Sequence, residues 1–461
     1  METTNNANLD LFIQLARGIN KYTLKDLLNK SWENDKLKTM AIIFNSRDRL
    51  KGKKEKELSN LCLLWLKEFY PVIYKKNIMT YIDKYGCWND LNYIIKKDYN
   101  NKFEYKLFAI QLKKDKELLE EDKNISLCSK WVINANKKNT IKIARFLFED
   151  IKNYHERYRK EYLGPLRKRL DLIETKLCNK NYEAIDYTKI PSKALSIYKK
   201  TFIKNDKDKY ASFLSDIANN KTKLKITGLL PHEIIHKYMI DLNNIDETLE
   251  LQWKTLIDNY NENENDNENY EDIIPIVDVS GSMYTRINNI EPIYVSIALG
   301  LLLSQLNKGV LHNKIITFSK SPELFIVEGE TLRDKIRCIT KSAFGLNTDF
   351  LKIADLLISN NIPTKKIICF TDMQFDKGQS HDLFIQKFKD NNLELPELIY
   401  WNLSGNYVNY PINNETENTS IISGYSEQLL KVILYNLNKE KLTPELLMET
   451  ILEPYYNSII L

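Results

Sequence analysis

A chain of 461 residues that is 43% hydrophobic and 28% charged has an ordinary globular composition and enough apolar surface to build sizeable cores, which excludes wholesale disorder. Only 13 Gly and 12 Pro argue against collagen-like, Pro-rich or turn-dense all-β chains. The formal charge of +5 hides an asymmetry, because residues 1–250 carry 49 Lys and Arg against 34 Asp and Glu (+15) and the remainder carries 18 against 28 (−10). Such a split points to two parts with different partners.

The polar start METTNNANLD has no basic region followed by an apolar stretch, so no secretory signal is expected. From Leu9 to about Asp258 the pattern is helical nearly throughout. Apolar residues recur at spacings of three and four in Ser59 to Tyr70, Phe103 to Leu119 and Ile141 to Tyr158, with short polar breaks such as Tyr85-Gly86 and Lys138-Asn139. Helix after helix with no fixed repeat length predicts an irregular α-solenoid or bundle over 1–258 rather than a regular tetratricopeptide or ankyrin array. Basic density peaks in 151–200, with 13 Lys and Arg against 6 acids. Arg157, Arg159, Lys160, Arg167, Lys168 and Arg169 form its centre, beside His155, and Tyr154, Tyr158 and Tyr162 interleave at helical spacing. Charge plus stacking groups suits a polyanion, RNA more than a sequence-read duplex. The same tyrosines at i, i+4 and i+8 equally fit a core-facing stripe.

Residues 259–272 (NYNENENDNENYED) are polar and of low complexity, and read as a linker or exposed loop. After them the period changes. The β-branched run Ile273 to Val279 predicts a buried parallel strand, followed by a helix at Pro292 to Leu306, strands at Lys314 to Ser319 and Leu324 to Val327, and a helix near Leu332 to Ile339. A helix at Phe350 to Ser359, a strand at Lys366 to Thr371, a helix near His381 to Lys389, a strand at Glu397 to Leu403 and a helix at Glu427 to Leu437 complete the alternation. That order predicts a doubly wound α/β domain over 273–440, with ligands bound beyond the carboxyl ends of its strands, and leaves 441–461 as a C-terminal extension. The longest apolar run, near Ile297 to Leu303, falls short of the roughly 18–20 residues needed to span a bilayer, so no membrane partner is expected. Six scattered cysteines with no C-x-x-C pair fit reduced thiols in cytoplasm or nucleus.

At the end of the first of these strands stand Asp278-Val279-Ser280-Gly281-Ser282, one carboxylate and two hydroxyls on a tight turn. Thr348 lies in a later loop, and Asp372 follows the strand that ends at Thr371. An all-oxygen donor set with only two charges suits a hard cation, Mg²⁺ or Mn²⁺, that stays electrophilic. At these residues the chain resembles a von Willebrand factor A domain with a metal-ion-dependent adhesion site. The resemblance implies that Asp278, Ser280, Ser282, Thr348 and Asp372 hold the metal and that the metal captures an Asp or Glu of a protein partner. The whole chain is similar to an uncharacterised family of plants, fungi and giant DNA viruses that joins a helical region to such a domain. The similarity is carried by Arg47-Asp48, Trp88-Asn89-Asp90-Leu91, Pro165-Leu166-Arg167, Ile190-Pro191-Ser192-Lys193, Ser280-Gly281-Ser282-Met283 and Thr371-Asp372-Met373, with one departure, a Gly-rich turn near Lys51 of which only Gly52 remains. The Lys, Asn and Ile bias resembles that of an AT-rich genome such as a giant virus has, and for a viral source the expected place is host cytoplasm or virion. In architecture the chain is more distantly similar to Ro-type ribonucleoproteins, which bind RNA on a basic helical ring.

Two enzyme readings stand beside this non-enzymatic one. His232-Glu233-Ile234-Ile235-His236 is an H-E-x-x-H string of the kind that holds zinc in metallopeptidases, though no third ligand is evident. Asp278 on a doubly wound sheet resembles a phosphotransfer nucleophile, but the position two residues on is Ser280, which cannot serve as general acid.

Overall fold

The computed structural model describes residues 3–98, 100–226, 228–261, 272–317, 322–342, 350–374, 381–405, 412–416, 418–436 and 443–461. Up to residue 261 every regular element of the described chain is a helix, and the helix starts follow local chemistry. The Asn6 side chain accepts from the amides of Asn8 and Leu9, Asp35 accepts from Lys38, and Pro71 and Pro231 each open a helix where a missing N–H costs nothing. The expected helix Ile141 to Tyr158 is instead broken. Thr140–Leu147 ends, Asn153 turns left-handed at φ 51°, and Tyr154–Arg157 restarts as a short helix that runs into a π-helical turn, Tyr158–Leu163. The Asp150 carboxylate accepts from the Lys152 amide, a local turn that competes with helix.

The remaining chain forms a six-stranded sheet: β1 Ile273–Val277, β2 Lys314–Thr317, β3 Leu324–Ile326, β4 Lys366–Thr371, β5 Glu397–Asn402 and β6 Thr419–Ser423. The order is β3-β2-β1-β4-β5-β6, parallel except for the edge strand β3. Every β1 residue is buried, as a strand covered on both faces requires. The helix Pro292–Leu306 lies against β1 so closely that a Cβ on Gly300 would fall 2.3 Å from Val277 Cγ2. β6 and the helix Pro444–Tyr456 go beyond the elements expected from sequence.

The helical part and the sheet share one continuous apolar core that includes Leu9, Phe44, Tyr81, Ile276, Leu302, Trp401 and Tyr455, while a smaller cluster around Tyr187, Phe202 and Phe213 stands apart. At the junction, the Lys53 side chain is 1% exposed. Its ammonium donates to Leu15 O (3.2 Å), Ser423 Oγ (2.6 Å) and Phe12 O, joining the first helix to β6. The C-terminal helix Pro444–Tyr456 packs on the helix Lys36–Arg47, where Tyr455 Oη donates to Asp48 Oδ2 at 2.8 Å.

Candidate metal centre at the carboxyl edge of the sheet

The strand order reverses at β1, so the carboxyl ends of β1 and β4 flank the crevice where doubly wound sheets bind ligands. Asp278 follows β1 and Asp372 follows β4. Asp278 is fully buried and held at both oxygens: Oδ1 accepts from the Ser280 amide (2.9 Å) and Oδ2 from Thr371 Oγ1 (2.6 Å). Its own amide donates to Phe370 O at 3.1 Å, tying the β1 end to β4. Ser280 Oγ and Ser282 Oγ lie 3.1 Å apart, and the Ser282 hydroxyl is among the groups that act to lower the Asp372 carboxyl. Asp372 also accepts from the Gln374 amide (3.3 Å) and Gln374 Nε2 (3.1 Å). Met373 sits between them at φ 65°, left-handed backbone that a non-glycine residue rarely adopts and that clusters at functional sites.

Burial first, and then the neighbouring Asp372 charge, push the Asp278 carboxyl up to about 6. Burial raises Asp372 as well. Among the described residues, the groups that act most on Asp278 are Asp372, Thr371 and Ser280, none of them cationic. Two buried like charges beside two hydroxyls are a donor set that a divalent cation fits, because it relieves the repulsion that the protein leaves in place. Among the described residues no three His, Cys, Asp or Glu side chains cluster as metal ligands, so a cation here depends on hydroxyl oxygens. The structure thus brings together four of the five expected metal residues, Asp278, Ser280, Ser282 and Asp372. Thr348 lies outside the described residues. Gly281, Tyr284 and Gln374 are exposed beside the cluster, and Ser282 is half-buried at its rim.

Thr371 and Gln374, which orient the two acids, were not among the residues expected from sequence. A wall from the helical part was not expected either. Arg17 Nε donates to both Glu55 oxygens (2.9 Å each), and its guanidinium lies 4.3 Å from the Tyr425 ring centroid, just beyond β6. The His232 ring meets the other side of this arrangement, edge-on to Tyr425 at 5.4 Å. The Tyr425 hydroxyl donates to Leu403 O (3.1 Å) and the Leu403 amide donates to Thr371 O (2.8 Å), so the wall reaches the end of β4 next to Asp372.

The H-E-x-x-H string is placed otherwise than zinc chemistry needs. Glu233 caps its own helix by accepting from the Leu230 amide (3.0 Å) and pairs with Lys193. His232 faces Tyr425, whereas His236 faces Tyr294 at 4.9 Å. Burial, followed by the Arg17 charge, holds His232 well below its ordinary value and hence neutral.

The six basic residues expected to meet a polyanion are largely engaged. Arg157 pairs with Glu161 (2.9 Å) and stacks on Phe148 (4.1 Å), Lys160 pairs with Glu156 (2.6 Å), and Arg169 pairs with Asp122 (2.9 Å). Arg167 is half-buried and donates to Ser129 O (2.7 Å), Asn134 Oδ1 (2.7 Å) and Val132 O (3.4 Å). Burial lowers its guanidinium. Arg159 and Lys168 remain exposed. Tyr158 and Tyr162 are buried and Tyr154 half-buried, so the tyrosine stripe faces the core.

Two family models match the chain, Domain of unknown function (DUF2828) over residues 1–105 and 104–265, and Domain of unknown function (DUF7788) over residues 272–450. The chain belongs to the DUF2828 family. It is 29% identical over 504 residues to the uncharacterized protein L728 of Acanthamoeba polyphaga mimivirus, a match that covers 98% of this chain and 86% of that protein. The crystal structure of the Deinococcus radiodurans Ro (RSR) protein aligns with 98% of this chain and 100% of its own, at 12% identity and a TM-score of 0.42. Among the described residues no helix is long and apolar enough to cross a membrane.

Proposed function

We propose that the chain is a non-enzymatic interaction protein whose sheet edge takes Mg²⁺ or Mn²⁺ and captures a carboxylate of a protein partner, as in the von Willebrand A domains that it resembles. The observation that carries this reading is the pair of buried acids, Asp278 and Asp372, set beside the Ser280 and Ser282 hydroxyls, with no cation among the described groups that act most on Asp278. Asp278, Ser280, Ser282 and Asp372 would hold the ion, with Thr348 as a fifth ligand in this proposal. A bound divalent ion supplies positive charge with coordination positions that an Asp or Glu from outside can fill. The protein's own groups do the rest. Thr371 and the Ser280 amide fix the Asp278 carboxylate, Gln374 fixes Asp372, and the parallel pairing of β1 with β4 holds the two acids at one edge. Residues 1–258 act as the scaffold packed against that edge; of the expected linker 259–272, residues 259–261 instead end the helix Glu247–Asn261 with Tyr260 buried, and 262–271, outside the described residues, are the connection to the sheet domain 273–440 in this proposal.

Affinity capture with the full chain in Mg²⁺ and in EDTA tests the reading. A bound protein should appear only in Mg²⁺ and be lost from the Asp278→Ala bait. Capture that persists in EDTA, or with Asp278→Ala in Mg²⁺, contradicts it.

A further inference from the structure

The helical part carries a cleft of about 990 Å³ between the ends of helices Lys56–Phe69, Pro71–Thr80, Trp88–Lys97, Lys102–Glu120 and Thr140–Leu147. That is the upper end of the range for ligand clefts, roughly 300–1,000 Å³. Five lysines line it against two acids, and both acids are already paired. Asp98 meets Lys67 at 2.6 Å, and the exposed Glu68 meets Lys25 at 3.5 Å. Lys67 also meets the fully buried Glu104 at 2.9 Å, so it is fixed in the cleft floor. Lys75, Lys97, Lys102 and Lys106 are different. All four are exposed, and none has a carboxylate partner among the described residues.

Aromatic faces lie among these ammonium groups. Phe103 and Phe146 are half-buried in the cleft lining, and Lys75 Nζ sits 5.7 Å from the Phe103 ring centroid. Lys102 and Lys106 are one helical turn apart and Phe103 is three residues before Lys106, and all three line the cleft from the start of this helix. Apart from Asn100, whose amide can bond a base edge, the lining offers mainly point charges and phenyl rings, and a phenyl ring stacks on any base. The cleft is concave and bounded by helix ends, so it suits a flexible strand with splayed bases better than a duplex.

We propose that this cleft binds single-stranded nucleic acid without strong sequence preference, with phosphates on Lys75, Lys97, Lys102 and Lys106 and bases against Phe103 and Phe146. The lining contains none of residues 157–169, where the charge density of the sequence peaks; there Arg157, Lys160 and Arg169 are ion-paired, whereas Lys75, Lys97, Lys102 and Lys106 have no carboxylate partner among the described residues. It is independent of the metal centre.

Fluorescence anisotropy of a labelled 12-nucleotide oligo(U) titrated with the full chain tests it. Lys75→Glu/Lys102→Glu/Lys106→Glu should weaken binding at least about tenfold and flatten the slope of log K against log salt by about 2, since each single-strand phosphate contact contributes about 0.7. Arg159→Glu/Lys168→Glu, two exposed cations outside the cleft, should change affinity less than about twofold. Phe103→Leu should weaken oligo(U) by about fivefold, the lower end for one stacked base, and leave inorganic polyphosphate unaffected. Equal loss in both charge-reversal variants, equally tight binding of a 12-residue oligoglutamate, or no saturable binding at low salt would overturn the proposal.

Discussion

Replacing Asp278 with asparagine separates a metal-binding acid from a structural one. Burial and Asp372 raise the Asp278 carboxyl from 3.8 to about 6, and at 1.36 kcal/mol per pH unit that is about 3 kcal/mol held against folding at pH 7. The sign follows from the direction of the shift. The folded state binds this proton more tightly than the unfolded one, so the contribution is most favourable below about pH 4 and is lost as pH rises from 3.8 to about 6. The Asp278→Asn substitution removes the charge and keeps the geometry, because the remaining side-chain oxygen still accepts from the Ser280 amide and the new amide group donates to the Thr371 hydroxyl after that hydroxyl rotates. In EDTA at pH 7, Asp278→Asn should therefore melt up to about 3 °C above the wild type, at about 1 kcal/mol per degree for a chain of this length. Mg²⁺ at about 100 times its dissociation constant should return about 2.7 kcal/mol to the wild type and nothing to the variant. Differential scanning calorimetry with and without Mg²⁺ reads both changes. A lower melting temperature for Asp278→Asn in EDTA, or the same Mg²⁺ shift in both proteins, would refute the reasoning.

Other consequences concern the frame around the site. Gly300→Ala places a methyl 2.3 Å from Val277 Cγ2, an overpacking that should cost about 1–3 kcal/mol by urea denaturation and weaken Mg²⁺ binding through the displaced β1 end; unchanged stability and binding would contradict it. Lys53→Met leaves the acceptors Phe12 O, Leu15 O and Ser423 Oγ without their buried ammonium and should lower stability by about 2–3 kcal/mol, whereas a more stable variant would show that burial of the charge outweighs its bonds. Burial pulls the His381 imidazole down to about 4, and among the described residues neither ring nitrogen has a hydrogen-bond partner. The unfolded chain takes this proton first, so His381 should cost up to about 3 kcal/mol as pH falls from 6.5 to about 4. His381→Phe should flatten that part of the stability profile, and an unchanged profile would count against a buried neutral imidazole.

The sequence carried most of the sheet because its central strands are buried on both faces. Ile273–Val277, Lys366–Thr371 and Glu397–Asn402 are continuous apolar runs, and the acids at two of their carboxyl ends could be placed without any tertiary information. β6, with the sequence Thr-Ser-Ile-Ile-Ser, is as buried as the others but has too few apolar residues to stand out. The C-terminal helix had legible signals, since Thr443 caps it by accepting from the Leu446 amide and Pro444 opens it, yet the internal Pro454 disguised its length. Tyr158 and Tyr162 illustrate the limit of spacing: the same interval serves a stacking surface or a core, and only packing decides. The supports of the candidate site were illegible for a different reason. Thr371 meets Asp278 across 93 residues, and Arg17 meets Tyr425 across the junction between the helical part and the sheet. Neither contact has a local pattern.

The central claim is that the β1 and β4 ends hold a divalent ion, and Mn²⁺ titration of the full chain followed by electron paramagnetic resonance tests it most directly. One saturable site that Mg²⁺ displaces, and that is lost in Asp278→Asn and in Asp372→Asn, is the result expected from two buried acids beside two serine hydroxyls. No saturable site in the wild-type chain, or a site that survives both substitutions, would contradict it.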